Sequence, residues 1–123
     1  MKLPIKFSGK VIKGDGTGKK IGFPTANILP DIDLSSLKHG VYACDVIIDG
    51  KKYLGAAHFG PRLVFDEKTP QFEVHILNFV EDIYNKIIDI EITKYVRETM
   101  RFKNLNELKF QIKTDLLSIN NHV

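Results

Sequence analysis

Apolar and polar residues alternate with period two along most of this chain and switch to helical spacing only near its end. A period of two marks strands with one buried face. Residues 5–13 read as a first strand, with Phe7, Val11 and Ile12 as its apolar members. A glycine-rich loop over 14–22 interrupts the pattern, which resumes over 23–29 and breaks at Pro30. Residues 30–39, with Asp31, Asp33, Ser35 and Ser36, read as loop. Residues 40–48 form a second clear strand, followed by Asp49-Gly50. That dipeptide predicts a tight hairpin, because both central positions of such a turn take positive φ. The returning strand covers 51–59. A polar loop over 60–70, with Pro61 and Pro70 near its ends, leads to a strand over 71–79, and Asn78 to Asn85 makes a connection. Over 86–95, Ile88, Ile90 and Ile92 face one way and Asp89, Glu91 and Thr93 the other.

Residues 104–119 carry the change of period. Leu105, Leu108, Ile112, Leu116 and Ile119 recur at intervals of three and four, which predicts an amphipathic helix. Asn104 suits its N-cap, and Glu107 three residues on can complete a capping box. The pattern is therefore five or six strands followed by one C-terminal helix. Sequential antiparallel strands with a tight hairpin predict a small closed barrel, which leaves no exposed sheet edge. The helix then covers one opening or flank.

Composition narrows the class. The 123 residues suit one domain spanning 1–123, since two independent cores would each be very small. A hydrophobic share of 43% excludes wholesale disorder. The net charge of +3 is too small to point to a nucleic-acid partner by itself. No apolar run is long enough for a spanning helix, and the N-terminus lacks the apolar core of a signal peptide. The single cysteine, Cys44, excludes an intrachain disulfide framework and fits a reducing cytoplasm. It lies mid-strand and reads as core packing. The four histidines (His39, His58, His75 and His122) show no zinc-binding spacing.

Three segments could carry chemistry. The first is Gly14-Asp15-Gly16-Thr17-Gly18-Lys19-Lys20-Ile21-Gly22. Its glycines let backbone N–H groups converge on an anion, and Lys19 and Lys20 add positive charge. The spacing matches neither a P-loop nor the dinucleotide fingerprint, and Pro24 follows where the latter needs a helix. A floppy hairpin loop is the plainer reading. The second is Gly22-Phe23-Pro24-Thr25-Ala26-Asn27. Pro24 holds Phe23 extended, so Thr25 and Asn27 project from one face. A hydroxyl and an amide carbonyl are hard oxygen donors suited to Mg²⁺ that already carries phosphate; a solvated polar pair is the alternative. The third is Phe72-Glu73-Val74-His75-Ile76-Leu77. Glu73 and His75 share a face of an otherwise apolar strand. A carboxylate against apolar neighbours has a raised pKa, which suits a general base. The alternative is an edge-strand Glu in solvent, and periodicity leaves the two open.

Taken in order, these segments resemble one family. The run Gly14 to Asn27 with its Pro-Thr-Ala-Asn, then Gly40-Val41-Tyr42, Phe72 to Leu77, Asp82-Ile83-Tyr84, Tyr95-Val96-Arg97-Glu98 and Arg101-Phe102, is similar to riboflavin kinase (flavokinase) over about Phe7 to Asn120. The resemblance implies a six-stranded antiparallel Greek-key barrel with a C-terminal helix. It implies transfer of the γ-phosphoryl of ATP to the ribityl 5′-hydroxyl of riboflavin, giving FMN. It further implies that the glycine-rich loop (Gly14, Gly16, Gly18, Lys19, Lys20 and Gly22), with Pro24 and Thr25, holds the nucleotide. Thr25 and Asn27 would bind Mg²⁺ with the phosphates, Glu73 would be the base, and Arg97 and Phe102 would border the flavin.

Two departures stand out. Many bacterial members carry Asn-x-Gly-x-Arg-Pro-Thr-Phe where this chain has His58-Phe59-Gly60-Pro61-Arg62-Leu63-Val64-Phe65. Bacterial kinases also usually follow an FMN adenylyltransferase domain, and Met1 stands just before the first strand, so this chain is expected to be a kinase domain without that partner domain, either a stand-alone kinase or the kinase part of a longer bifunctional enzyme. The expected partners are ATP and riboflavin alone, without nucleic acid or membrane, acting on a cytoplasmic monomer. Two other classes compete: a catalytically degenerate flavin- or nucleotide-binding barrel, and an oligonucleotide-binding barrel using Lys10, Lys13, Lys19 and Lys20. Intact Thr25, Asn27 and Glu73 argue against the first. The second lacks interleaved aromatics for base stacking.

Overall fold

A computed structural model describes residues 1–14, 16–61 and 70–120. The departing stretch after Pro61 therefore lies outside the described residues. In chain order the elements are β1 (Ile5–Ile12), α1 (Thr17–Lys20), β2 (Ala26–Pro30), β3 (Gly40–Ile48), β4 (Lys51–Gly60), β5 (Gln71–Ile76), β6 (Ile87–Arg97) and α2 (Leu105–Asn120). The strands close into an antiparallel barrel in the order β1-β2-β5-β4-β3-β6. β3, β4 and β5 form a meander, and β2 pairs with its far strand, which is a Greek-key connection.

Alternation sorts each strand into an inner and an outer set. Phe7 and Val11 of β1, Ile28 of β2, Cys44 and Val46 of β3, Ala57 and Phe59 of β4, Phe72 and Val74 of β5, and Ile88, Ile90 and Ile92 of β6 fill the interior. Phe7 and Phe72 meet edge to face across it, with ring centres 5.3 Å apart. Cys44 is fully buried, and burial pushes its thiol pKa up, so it packs and does not react. The Asp49-Gly50 turn has positive φ at both positions, 50° and 81°, as its sequence predicts.

β6 departs from the expected pattern in an informative way. Its ladder with β3 skips one residue between Lys94 and Ile92 and another between Arg97 and Tyr95. Thr93 and Val96 are thus bulged, and each bulge reverses the inner–outer parity of the residues beyond it. Tyr95 points inward against Tyr42, with ring centres 5.2 Å apart. Arg97, paired with the outer-face residue Val41, points outward. The strand continues to Arg97 although its alternation fails after Ile92.

α2 lies outside the barrel and packs beside β4. Asn104 caps it: its Oδ1 accepts from Glu107 N at 2.9 Å. The reciprocal bond differs from a regular capping box, because Glu107 Oε1 accepts from Lys103 N, not from Asn104 N. Of its sixteen residues only Asp115 and Ile119 are buried. Leu105, Phe110 and Leu117 remain exposed.

Smaller boundary differences have local causes. The glycine-rich loop contains the four-residue helical turn α1 where an irregular loop is expected. β5 stops at Ile76 instead of 79, because the chain turns at Asn78 with φ 56°.

Candidate active site

The glycines of the loop divide into two kinds. Gly16 and Gly22 have positive φ (77° and 91°) with open space around them, so they shape the turn. Gly14 and Gly18 are packing positions. A Cβ at Gly14 would overlap the Asn27 side-chain amide, and one at Gly18 would overlap the Phe23 carbonyl. Phe23 N donates to Gly18 O at 2.7 Å. The loop therefore folds down onto the Pro-Thr-Ala-Asn segment.

That segment is held from its other side by β5. His75 Nδ1 lies 2.7 Å from Pro24 O, a contact that uses the Nδ1–H form of the ring. The Phe23 and His75 rings meet edge to face at 5.7 Å. His75 is thus an anchor for the loop.

Between the loop and the connection after β5 lies a cavity of about 510 Å³. Gly14, Gly16, Lys19, Pro24, Thr25 and Asn27 form one wall, Phe79 to Tyr84 the opposite wall, and Val11, Val74, Ile76 and Ile83 lie among the apolar residues that line it. The Phe79–Tyr84 wall is tied in place. Tyr84 N donates to Asp82 Oδ1 at 3.0 Å, Asn85 N donates to Val11 O at 3.0 Å, and Ile83 is buried. Sequence reasoning treats this wall as a mere connection; the Asp82-Ile83-Tyr84 run, an Asx turn around a buried Ile, is the signal that marks it. Gly18, Lys20, Gly22, Glu73, Arg97 and Phe102 are not among the residues lining the cavity.

Glu73 sits on the outer face of β5, between the inward residues Phe72 and Val74. It pairs in register with Asn27 of β2 on one side and His58 of β4 on the other. Its same-strand neighbours on that face are Gln71 and His75. Among the described residues, its register and same-strand neighbours on that face are polar rather than the apolar ones the sequence suggests, because β5 ends before Leu77 and Phe79 can share it. What the fold supplies instead is proximity. Asn27 lines the cavity and stands directly opposite Glu73, and such paired residues have Cα atoms about 4.5–5.5 Å apart.

Thr25 and Asn27 both line the cavity. Among the described residues no cluster of three His, Cys, Asp or Glu could hold a metal. A cation here would take oxygen from a hydroxyl, an amide and bound phosphate, a donor set that fits Mg²⁺.

Arg97 lies farther round the outer face, and Phe102 lies in the segment that follows it. The register runs Glu73–His58–Val41–Arg97 across four strands, three strand spacings or about 14 Å. The Arg97 guanidinium meets the buried Asp115 of α2 in a bidentate pair, Nε to Oδ1 at 2.9 Å and Nη2 to Oδ2 at 2.8 Å. Phe102 is half-buried and lines a shallow hollow of about 450 Å³ with Met100, Asn104, Phe110 and Gln111. The predicted residues thus form two groups, a cavity group and an α2 group, with Glu73 between them.

A model of the riboflavin kinase family, Flavokinase, matches residues 1–123. The chain belongs to the riboflavin kinase family. Similar relatives include the bifunctional riboflavin kinase/FMN adenylyltransferase of Escherichia coli K12, 41% identical over 116 residues. The trifunctional protein RibF/MnmA of Mycoplasmoides gallisepticum is 45% identical over 112 residues. These alignments cover 94% and 91% of this chain but 37% and 17% of those proteins. Among solved structures, riboflavin kinase from Trypanosoma brucei superposes with a TM-score of 0.70 at 27% identity, over 97% of this chain and 79% of that one. A structure described as a macrolide-efflux protein from Streptococcus pneumoniae superposes at 0.85 with 32% identity, over 96% of this chain and 39% of that one. As in the sequence reading, this riboflavin kinase family barrel has six antiparallel strands and a C-terminal helix.

Proposed function

We propose that this chain, as a single kinase domain, transfers the γ-phosphoryl of ATP to the ribityl 5′-hydroxyl of riboflavin, giving FMN and ADP. The observation that carries the residue assignment is the in-register pair Asn27–Glu73, which sets a cavity-lining oxygen donor beside a carboxylate on the outer face. The glycine-rich loop, with Lys19, Lys20, Pro24 and Thr25, cradles the phosphates. Thr25 and Asn27 would hold Mg²⁺, which would neutralise phosphate charge when bound. Glu73 orients the ribityl hydroxyl and accepts its proton. The hydroxyl oxygen bonds to the γ-phosphorus as the bond to the β-phosphate oxygen breaks and ADP leaves. Arg97 and Phe102 lie on the flavin side. Phosphoryl transfer asks the protein mainly for positioning and charge stabilisation, and these groups supply both. Action in the cytoplasm as a monomer is part of this reading: the single Cys44 is free and buried, and a closed barrel offers no open edge for strand addition.

The test is a reaction of the purified chain with riboflavin, ATP and Mg²⁺, resolved by chromatography. FMN with an equal yield of ADP is expected, and no FAD. ADP without FMN, or an FAD peak, would overturn the assignment.

A further inference from the structure

Asp115 is the one buried charged side chain among the described residues, at 5% exposure. It occupies the barrel-facing stripe of α2, where the helical period calls for an apolar residue. Its oxygens take both Arg97 bonds, and Gln111 Nε2 donates to its Oδ1 at 3.0 Å. The same guanidinium reaches the connecting segment, since Arg97 Nη1 donates to Glu98 O at 2.8 Å. One side chain thus ties together the end of β6, the start of the segment 98–104 and the third turn of α2.

A buried ion pair is a weak source of stability, because desolvation offsets most of the attraction. Well-packed apolar residues could hold a helix as firmly. What a bidentate fork adds is orientation. Orientation matters here because α2 buries only one other residue, Ile119. Gln111 both donates to Asp115 and lines the hollow beside Phe102. The pair therefore sets the geometry of that hollow's wall. The Val96 bulge is what makes the pair possible, since it turns Arg97 outward.

We propose that Asp115 is a positioning residue for riboflavin: by fixing Arg97 and Gln111 it holds segment 98–104 and the first turns of α2 where the flavin docks. This rests on the kinase reading given above and adds to it a residue that makes no contact with the nucleotide cavity. Asp115→Asn keeps the shape but loses the charge. Asp115→Glu keeps the charge but displaces the fork. Steady-state kinetics and riboflavin fluorescence quenching, with melting curves, are measured for both variants beside the wild type. In each folded variant the riboflavin KM and Kd are expected to rise about tenfold or more, since small misplacements are costly, while the ATP KM stays within about twofold. A merely structural bond would lower the melting temperature and leave both KM values alone. A folded variant with unchanged riboflavin KM, or with both KM values raised together, overturns the proposal. So does failure of both variants to fold, which would make the pair purely structural. A wild-type chain that makes no FMN would instead overturn the kinase reading, and its outcome is read separately.

Discussion

Glu73 concentrates the chemistry, and its place opposite the cavity-lining Asn27 suits it to orient the acceptor hydroxyl. A primary alcohol is a weak nucleophile, and general-base help is worth roughly 10²–10⁴-fold. With a loose transition state, part of that comes from placing the hydroxyl. Glu73→Gln should therefore lower kcat by about two orders of magnitude while the KM values for ATP and riboflavin change little. Steady-state kinetics with a melting curve as control check this, and a solvated strand Glu would leave kcat unchanged. Gly14 makes a second sharp case. A methyl group there would drive into the Asn27 amide, so Gly14→Ala should raise the Mg²⁺ concentration needed for half-maximal rate by about tenfold with little effect on riboflavin KM. A Mg²⁺ titration of the variant measures it. These residues were legible because the glycines and Pro-Thr-Ala-Asn sit close together in sequence. The pairing of Asn27 with Glu73 was not, since it depends on which distant strands become neighbours. Asp115 was hidden because a carboxylate in an apolar stripe breaks the pattern used to find the stripe.

At the level of elements, local rules account for the hairpin and the helix start. Asp49-Gly50 takes the positive φ its turn requires, and Asn104 caps α2 through Glu107 N. Losing an N-cap costs about 1 kcal/mol. Asn104→Ala should accordingly lower the melting temperature by a few degrees, about 3–5 °C per kcal/mol for a domain between the small and large size classes, as scanning calorimetry would show. The end of β6 was less legible. Alternation stops at Ile92 because Thr93 and Val96 bulge, and a period-two reading cannot follow a strand whose parity changes twice. Thr93 Oγ1 donates to Ala43 O at 3.1 Å, so the bulge has its own side-chain bond across to β3.

On the scale of the whole molecule, the barrel interior sets an alkaline limit. Burial raises the thiol pKa of Cys44, with Asp45 adding to it. A raised folded-state value means that the unfolded chain loses its proton first as pH climbs. The contribution of Cys44 to stability is thus complete below the unfolded thiol pKa of about 8.5 and declines above it. Melting temperatures measured from pH 7 to 10 should fall along the upper part of that range, and Cys44→Ala should flatten the decline while lowering the whole curve through its cavity. A different consequence comes from the order of the strands. The β2–β5 ladder that brings Asn27 to Glu73 is the shortest of the six, joining segments far apart in the chain, whereas β3 and β4 zip along nine consecutive residues from a local turn. The seam on which the chemistry depends therefore closes later than the local hairpin and, as the shortest ladder, is the easiest to part in the folded state. During refolding, recovery of turnover should lag behind formation of the β3–β4 hairpin. In hydrogen exchange, the amides of Ala26 to Ile28 should open ahead of the rest of the barrel and slow when nucleotide bridges the gap.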